Sequence, residues 1–222
     1  MDSLKLAVSL VGFEEIANLV MSLQVFQELG KYESASKFDN TAFWKHSVGT
    51  AFIARVIAQK LKAEVEVAFL AGLLHDIGKV VLDRFFSEFY AETVHMVEEE
   101  QIPSVKAEMD FLGVTHAHVG GYLAANWEFA DTLTEAIVCH HDPSSARRYV
   151  KLASVVHVAN AICNHLDFGS SGEVVKQEID DPVLGKALWK LGIGPNSFGK
   201  LVEMGEGQLE DADSFLASMM GT

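Results

Sequence analysis

Apolar residues recur at three- and four-residue spacing along most of the chain, the period of a helix packed on a core rather than the two-residue alternation of a half-buried strand. Leu4 to Leu10 and Phe13 to Leu29 read as the first two helices, with Gly12 between them and Gly30 as a stop. From Thr41 to Leu61 the set Val48, Phe52 and Val56 separates from Ala51, Arg55 and Gln59, which predicts a helix laid on a core by one face. Val65 to Leu74 is almost continuously apolar. Period alone does not tell a buried strand from a helix there, but Ala68, Leu70, Ala71, Leu73 and Leu74 favour a central helix buried on most sides. His75-Asp76-Ile77-Gly78-Lys79 breaks that run.

Downstream, Val80 to Glu100 reads as one or two helices, and Pro103 to Gly113 as a connection containing a short helical piece. Thr115 is placed to cap a helix that runs to Trp127. Asp131 or Thr132 is placed to cap another that ends at His141, where Asp142-Pro143-Ser144-Ser145 marks a stop. Lys151 to Leu166 is a further amphipathic helix, and Gly169 to Gly172 a loop. Shorter helices joined by turns follow, through Leu184 to Leu191 and Glu210 to Met220. The pattern predicts an all-α, compact multi-helix bundle in three parts: an N-terminal helical segment (1–35), a helical core (36–170) and a C-terminal helical extension packed on it (171–222).

Composition narrows the functions open to such a bundle. Of 222 residues, 17 are basic and 31 acidic, a formal net charge of −14 with histidines neutral. That field repels a phosphate backbone, so direct nucleic-acid binding is not expected; Arg147, Arg148 and Lys151 form only a thin basic group. A small anionic ligand stays open, since a metal and a few convergent donors override the net field locally. Cys139 and Cys163 lie in helical segments without metal-site spacing and read as small hydrophobes in a reducing compartment. Asp2, Glu14 and Glu15 argue against a signal peptide at the apolar N-terminus, and no run reaches 18 uninterrupted apolar residues. A cytoplasmic location away from membranes is the expectation.

The chemistry lies in nine histidines. Neutral imidazole ligates transition metals, and a carboxylate adds charge and can bridge ions. Neighbours on a helix point apart, so His75 and Asp76 serve one pocket only at a helix end or distortion, which Gly78 permits. His46 follows the large Trp44. His116 lies four residues before Gly120, where a missing side chain allows close approach. His140 and His141 precede the proline-marked stop, and Asn160 sits among small apolar neighbours, where a buried amide needs a partner. His95, His118, His157 and His165 read as ordinary core or surface histidines. Lys79 is either a phosphate contact or a solvated turn residue.

These pieces, in order, resemble the HDOD family, a branch of the HD superfamily of helical metal-dependent phosphohydrolases and signalling domains. The resemblance is carried by Ala7 to Phe13, Trp44-Lys45-His46-Ser47, Ala71 to Lys79, Gly113 to Gly120, Ala136 to Pro143 and Val156 to Ala161. It implies an HD-like helical core in which His46, His75, Asp76, His116, His140 and His141 are metal ligands. The superfamily's final aspartate position falls on Asn160, which supplies no negative charge and favours one ion, a weak site or an empty pocket over a tight two-metal centre. The glycine-tyrosine-proline signature of the related cyclic-dinucleotide phosphodiesterases is replaced by Asp142-Pro143-Ser144-Ser145. The N-terminal segment looks shortened against the family.

Two functions follow from the resemblance. The first is a bacterial signalling or regulatory domain with a metal-capable pocket and a signalling protein or small anionic ligand as partner. The second is a metal-dependent phosphohydrolase or phosphodiesterase acting on a small phosphate ester or nucleotide, with one or two divalent ions (manganese, iron, nickel or zinc) and Lys79 touching the phosphate.

Overall fold

The carboxylate of Asp39 starts the first described helix by accepting the backbone N–H of Ala42 at 2.9 Å. The structure is a computed structural model that describes residues 38–176 and 181–220. The chain divides into two units, 1–32 and 33–222, and all described residues belong to the second. The helices expected over Leu4 to Leu10 and Phe13 to Leu29, and the whole of the 1–35 segment, lie outside the described residues.

Eleven α-helices follow in chain order and no described residue lies in a strand. They are α1 (Asn40–Leu61), α2 (Val65–Leu74), α3 (Ile77–Phe85), α4 (Ser87–Glu100), α5 (Ser104–Leu112) and α6 (His116–Asn126). Then come α7 (Asp131–Cys139), α8 (Val150–His165), α9 (Pro182–Lys190), α10 (Phe198–Glu206) and α11 (Leu209–Met220), with single 3-10 turns at Pro143–Ser145 and Pro195–Ser197. The all-helical class expected from the period is the one observed.

The centre of the bundle is α1, which packs against α2, α8 and α11. From His46 to Ala54 every residue of α1 is buried, so the one-faced helix read from the sequence is corrected. Ala51, assigned to its polar side, is fully buried because neighbours enclose the helix on several sides. The rings of Phe52 and Phe69 pack edge-on at 5.5 Å, and Phe215 meets them at 5.7 and 5.9 Å, which fastens α11 to α1 and α2. α2 is the buried central helix that its composition indicates, with Ala68 to Leu74 all inside.

Three boundaries differ from the reading. The connection over Pro103 to Gly113 is a full nine-residue helix, α5, stopped by Gly113 in the left-handed region at φ 70. Only Ser104, Ala107 and Glu108 of it are buried, so it lacks the large apolar stripe that marks a helix. α7 ends at Cys139 rather than His141, and its inner end is held by side chains described below. α10 is hidden in the sequence by Gly199, Gly205 and Gly207. No described helix is long and apolar enough to cross a membrane.

Candidate metal centre

α2 ends at Leu74 and α3 begins at Ile77, which leaves His75 and Asp76 in a two-residue break, Asp76 at φ −100 and ψ 9. That break lets adjacent residues address one pocket. The His75 Nδ1 lies 2.7 Å from the Gly72 carbonyl and must donate to it, so Nε2 presents a lone pair, 3.4 Å from Asp76 Oδ2. His140 repeats the device: Nδ1 donates to the Ile137 carbonyl at 2.7 Å and Nε2 lies 3.3 Å from Asp76 Oδ1. His157 donates from Nδ1 to the His140 carbonyl at 2.7 Å and so fixes the end of α7.

His116 comes from the first residue of α6, capped by Thr115 as the sequence indicates. Its position depends on a crossing of α3 and α6 that two glycines permit: a Cβ on Gly78 would stand 2.0 Å from the His116 carbonyl oxygen, and one on Gly120 3.3 Å from the Gly78 nitrogen. The fully buried carboxylate of Glu108 accepts from the His116 backbone N–H at 2.7 Å and from Nδ1 at 2.7 and 2.8 Å. The ring is thereby turned so that Nε2 lies 3.0 Å from Asp76 Oδ1 and 2.9 Å from His141 Nε2. His46, from α1, bonds Thr50 at 3.3 Å and lies with its ring centre 5.5 Å from that of His75.

The result is two side-chain clusters that share Asp76 and are geometrically capable of coordinating a metal ion. One joins Asp76, His116, His140 and His141; the other joins His46, His75 and Asp76; within each, one ligand atom per residue lies within 4.8 Å of the rest. The residues fit such an ion: His75 Nε2 and His140 Nε2 are buried without a hydrogen-bond partner, a condition that costs free energy unless something else satisfies them. Imidazole nitrogens with a single carboxylate suit a first-row transition ion better than magnesium or calcium.

Burial sets the protonation of the ring. It lowers His46 to about 4 and holds His75 and His141 well below the usual histidine value, leaving each neutral and able to ligate. Burial also opposes charge on His116, but the Glu108 and Asp76 carboxylates outweigh it and raise the group to about 9. Burial works against ionised Asp76 too; the positive groups around it win and its carboxyl sits well below the usual range.

Lys79 is not a solvated turn residue. It is 1% exposed, and its ammonium donates at 2.8 Å to both Asp76 Oδ2 and the Ser171 carbonyl, with Glu173 at 4.0 Å. Burial disfavours its charge, yet Asp76, Glu173 and Glu108 raise it above an ordinary lysine. Asn160 is buried beside His46, and its Oδ1 accepts from Asn164 at 3.0 Å. Of the residues singled out from the sequence, His46, His75, Asp76, His116, His140 and His141 therefore meet in one place, with Lys79 and Asn160 at its edge. His95 and His165 belong to neither cluster, and His118 bonds Thr115 instead. Glu108, Glu173 and His157 were missed. Glu108 carried one signal: an acid four residues after Ser104, on the small buried face of α5.

The profile of the HDOD domain family matches residues 1–143. The chain belongs to the HDOD domain family. Its described residues hold two candidate metal-binding clusters. An HDOD protein of unknown function from Geobacter sulfurreducens shares the fold at a TM-score of 0.71 and 23% identity, over 96% of this chain and 73% of that one. Among curated proteins, one of uncharacterised function from Treponema pallidum is 26% identical over 181 residues, 80% of this chain and 34% of its own length. Ribonuclease Y 1 of Pediococcus pentosaceus is 28% identical over 142 residues, 64% of this chain and 22% of its own. The HDOD chain thus spans about a third or less of the curated relatives it matches.

Proposed function

We propose that this HDOD domain is a regulatory module that holds one divalent transition-metal ion on Asp76, His116, His140 and His141 and signals through its helical surfaces to a protein partner in the cytoplasm. The observation that carries the reading is the unequal environment of the two oxygens of Asp76. Oδ1 lies among imidazole nitrogens, 3.0 Å from His116 and 3.3 Å from His140, whereas Oδ2 is bonded to the Lys79 ammonium at 2.8 Å. A cation on Oδ2 and a neutral Asn160 beside His46 disfavour a second ion on His46, His75 and Asp76. Burial points the same way: His46, His75, Asp76, His116 and His140 are all 0% exposed, which leaves little room for a substrate to reach them.

A second reading is a metal-dependent phosphohydrolase or phosphodiesterase acting on a phosphate ester or nucleotide, and the likeness to a ribonuclease over 142 residues favours it. An ion at this place would supply Lewis acidity toward a phosphoryl oxygen. Under this reading His141, the partly exposed member of its cluster, marks the approach to the site, and Lys79 must leave Asp76 before it can touch a phosphate.

Elemental analysis separates the possibilities. Protein purified without added metal, and protein reconstituted in turn with manganese, iron, nickel and zinc, is expected to carry one ion per chain, lost in Asp76→Ala and His140→Ala. No ion in any preparation would remove both readings. Metal-dependent turnover of phosphomonoesters, nucleotides or short RNA would favour the second over the first.

A further inference from the structure

Three helices that carry or adjoin metal-site residues, α1, α7 and α8, also line an open groove of about 1050 Å³. α1 leads from His46 to Lys62, α7 from His140 back to Thr132, and α8 from Asn160 back to Lys151. At 1.5 Å per residue that separation is about 24 Å along α1 and about 12–14 Å along α7 and α8. The groove is therefore distinct from the histidine cluster but built on the same rigid elements.

Its lining inverts the charge of the molecule. In a chain of net charge −14, Lys62, Arg148, Lys151 and Lys190 stand on the rim against one acid, Glu64. Arg148 is paired with Asp131 at 3.1 Å. The ammonium groups of Lys62 and Lys151 have no ion-pair or hydrogen-bond partner among the described residues, and Lys190 lies 5.3 Å above the ring of Trp189. The accessible apolar lining is Leu61, Ala63, Val150, Leu152 and Trp189, set over the buried Ala58, Ala68 and Val155. Trp189, 74% exposed, and the half-buried Tyr149 both belong to the lining.

We infer that this groove docks an acidic amphipathic helix of a partner protein. An apolar floor flanked by cations matches a helix whose apolar stripe faces inward and whose flanks are glutamate or aspartate. Tryptophan, tyrosine and arginine are the residue types that anchor such interfaces. The groove is open and at the upper end of the volumes that enclose small ligands, which favours a helix over a metabolite. A nucleic acid fits less well, because its charge extends past the rim onto an acidic surface. The inference rests on the signalling reading proposed above, in which a protein partner is needed.

Two synthetic amphipathic helices of identical leucine pattern, one with a glutamate and one with a lysine polar face, test this on the full chain by fluorescence anisotropy. The glutamate helix is expected to bind saturably at low ionic strength, to weaken as salt rises, and to shift tryptophan emission in the wild type but not in Trp189→Phe. Lys151→Glu with Lys190→Glu is expected to weaken it at least about tenfold. Both positions are exposed, so a circular dichroism melt matching wild type keeps that loss from being a folding defect. Absence of saturable binding, indifference to the charge reversals, preference for the lysine helix, or displacement by a single-stranded oligonucleotide would each overturn the proposal. None of these outcomes changes the metal content, so the docking surface and the metal reading fail separately.

Discussion

Asp76 Oδ2 lies 2.8 Å from Lys79 Nζ, so the carboxylate common to both histidine clusters already carries a cation on one oxygen. The same ammonium is fixed from behind by the Ser171 carbonyl. A buried aspartate surrounded by imidazoles thus keeps a counter-charge whether or not an ion is bound.

Removing that counter-charge is expected to be costly. Lys79→Met should lower the stability of metal-free protein by about 3–5 kcal/mol, the usual consequence of stranding one member of a buried ion pair. Urea unfolding measures it, and added divalent metal should return part of the loss. Lys79→Met combined with Asn160→Asp should raise the bound ions from one to two in equilibrium dialysis; a stoichiometry that stays at one would show that neither residue limits loading.

Glu108 orients His116 without reaching the shared Asp76. Glu108→Gln keeps the shape but halves the acceptor capacity, and metal affinity should fall about 10- to 100-fold, the range found when a carboxylate behind a ligating histidine is removed. Competition against a chromophoric chelator reads this directly. Unchanged affinity would mean that the helix start alone places the ring.

Stability should fall on the acid side through the buried neutral histidines. His46 and His157 are both lowered to about 4 by burial, against 6.5 when exposed. Below 6.5 the unfolded chain takes up protons that the folded chain refuses, so their contribution is whole above 6.5 and lost as pH falls toward 4. Each should cost roughly 2 kcal/mol between pH 7 and pH 5 in metal-free protein. His116, raised to about 9, has the opposite sign: its share is whole below 6.5 and fades as pH rises through 9. Urea midpoints across this range check both limbs, and His157→Gln should flatten the acid one.

Gly78→Ala should spread α3 and α6, because the new methyl meets the His116 carbonyl at 2.0 Å. A loss of at least about 1–3 kcal/mol is expected, together with weakened metal binding. Gly185→Ala in α9 is the control, with nothing within 4 Å of the added carbon, and should stabilise by up to about 1 kcal/mol.

Much of the site was legible because its ligands mark helix ends. His75-Asp76 interrupts an apolar run, and His140-His141 precedes Pro143, signals that survive in a bare sequence. Their convergence was legible only through the ordered motifs of a family, since nothing in spacing says that α3 and α6 cross. Lys79 showed the limit of local reading: a lysine after a glycine looks solvated, and only the approach of Ser171, 92 residues away, buries it. Glu173 was missed for the same reason, its partner Ser104 lying 69 residues away, whereas Glu108 was missed because nothing in a weakly apolar segment shows that its chain turns back to bring His116, eight residues on, against it. The one-faced reading of α1 failed because enclosure by α2, α8 and α11 is a tertiary fact.

The shared Asp76 gives the pocket a mechanical meaning as well. Its two clusters draw together residues from His46 to His141, segments that an unfolded chain would hold far apart. An ion on Asp76, His116, His140 and His141 is held only by the folded chain, so its binding free energy adds directly to folding stability, a role no disulfide fills because both cysteines are free and buried. Loading would then act as a reversible cross-link, tightening or releasing the whole bundle with the supply of metal.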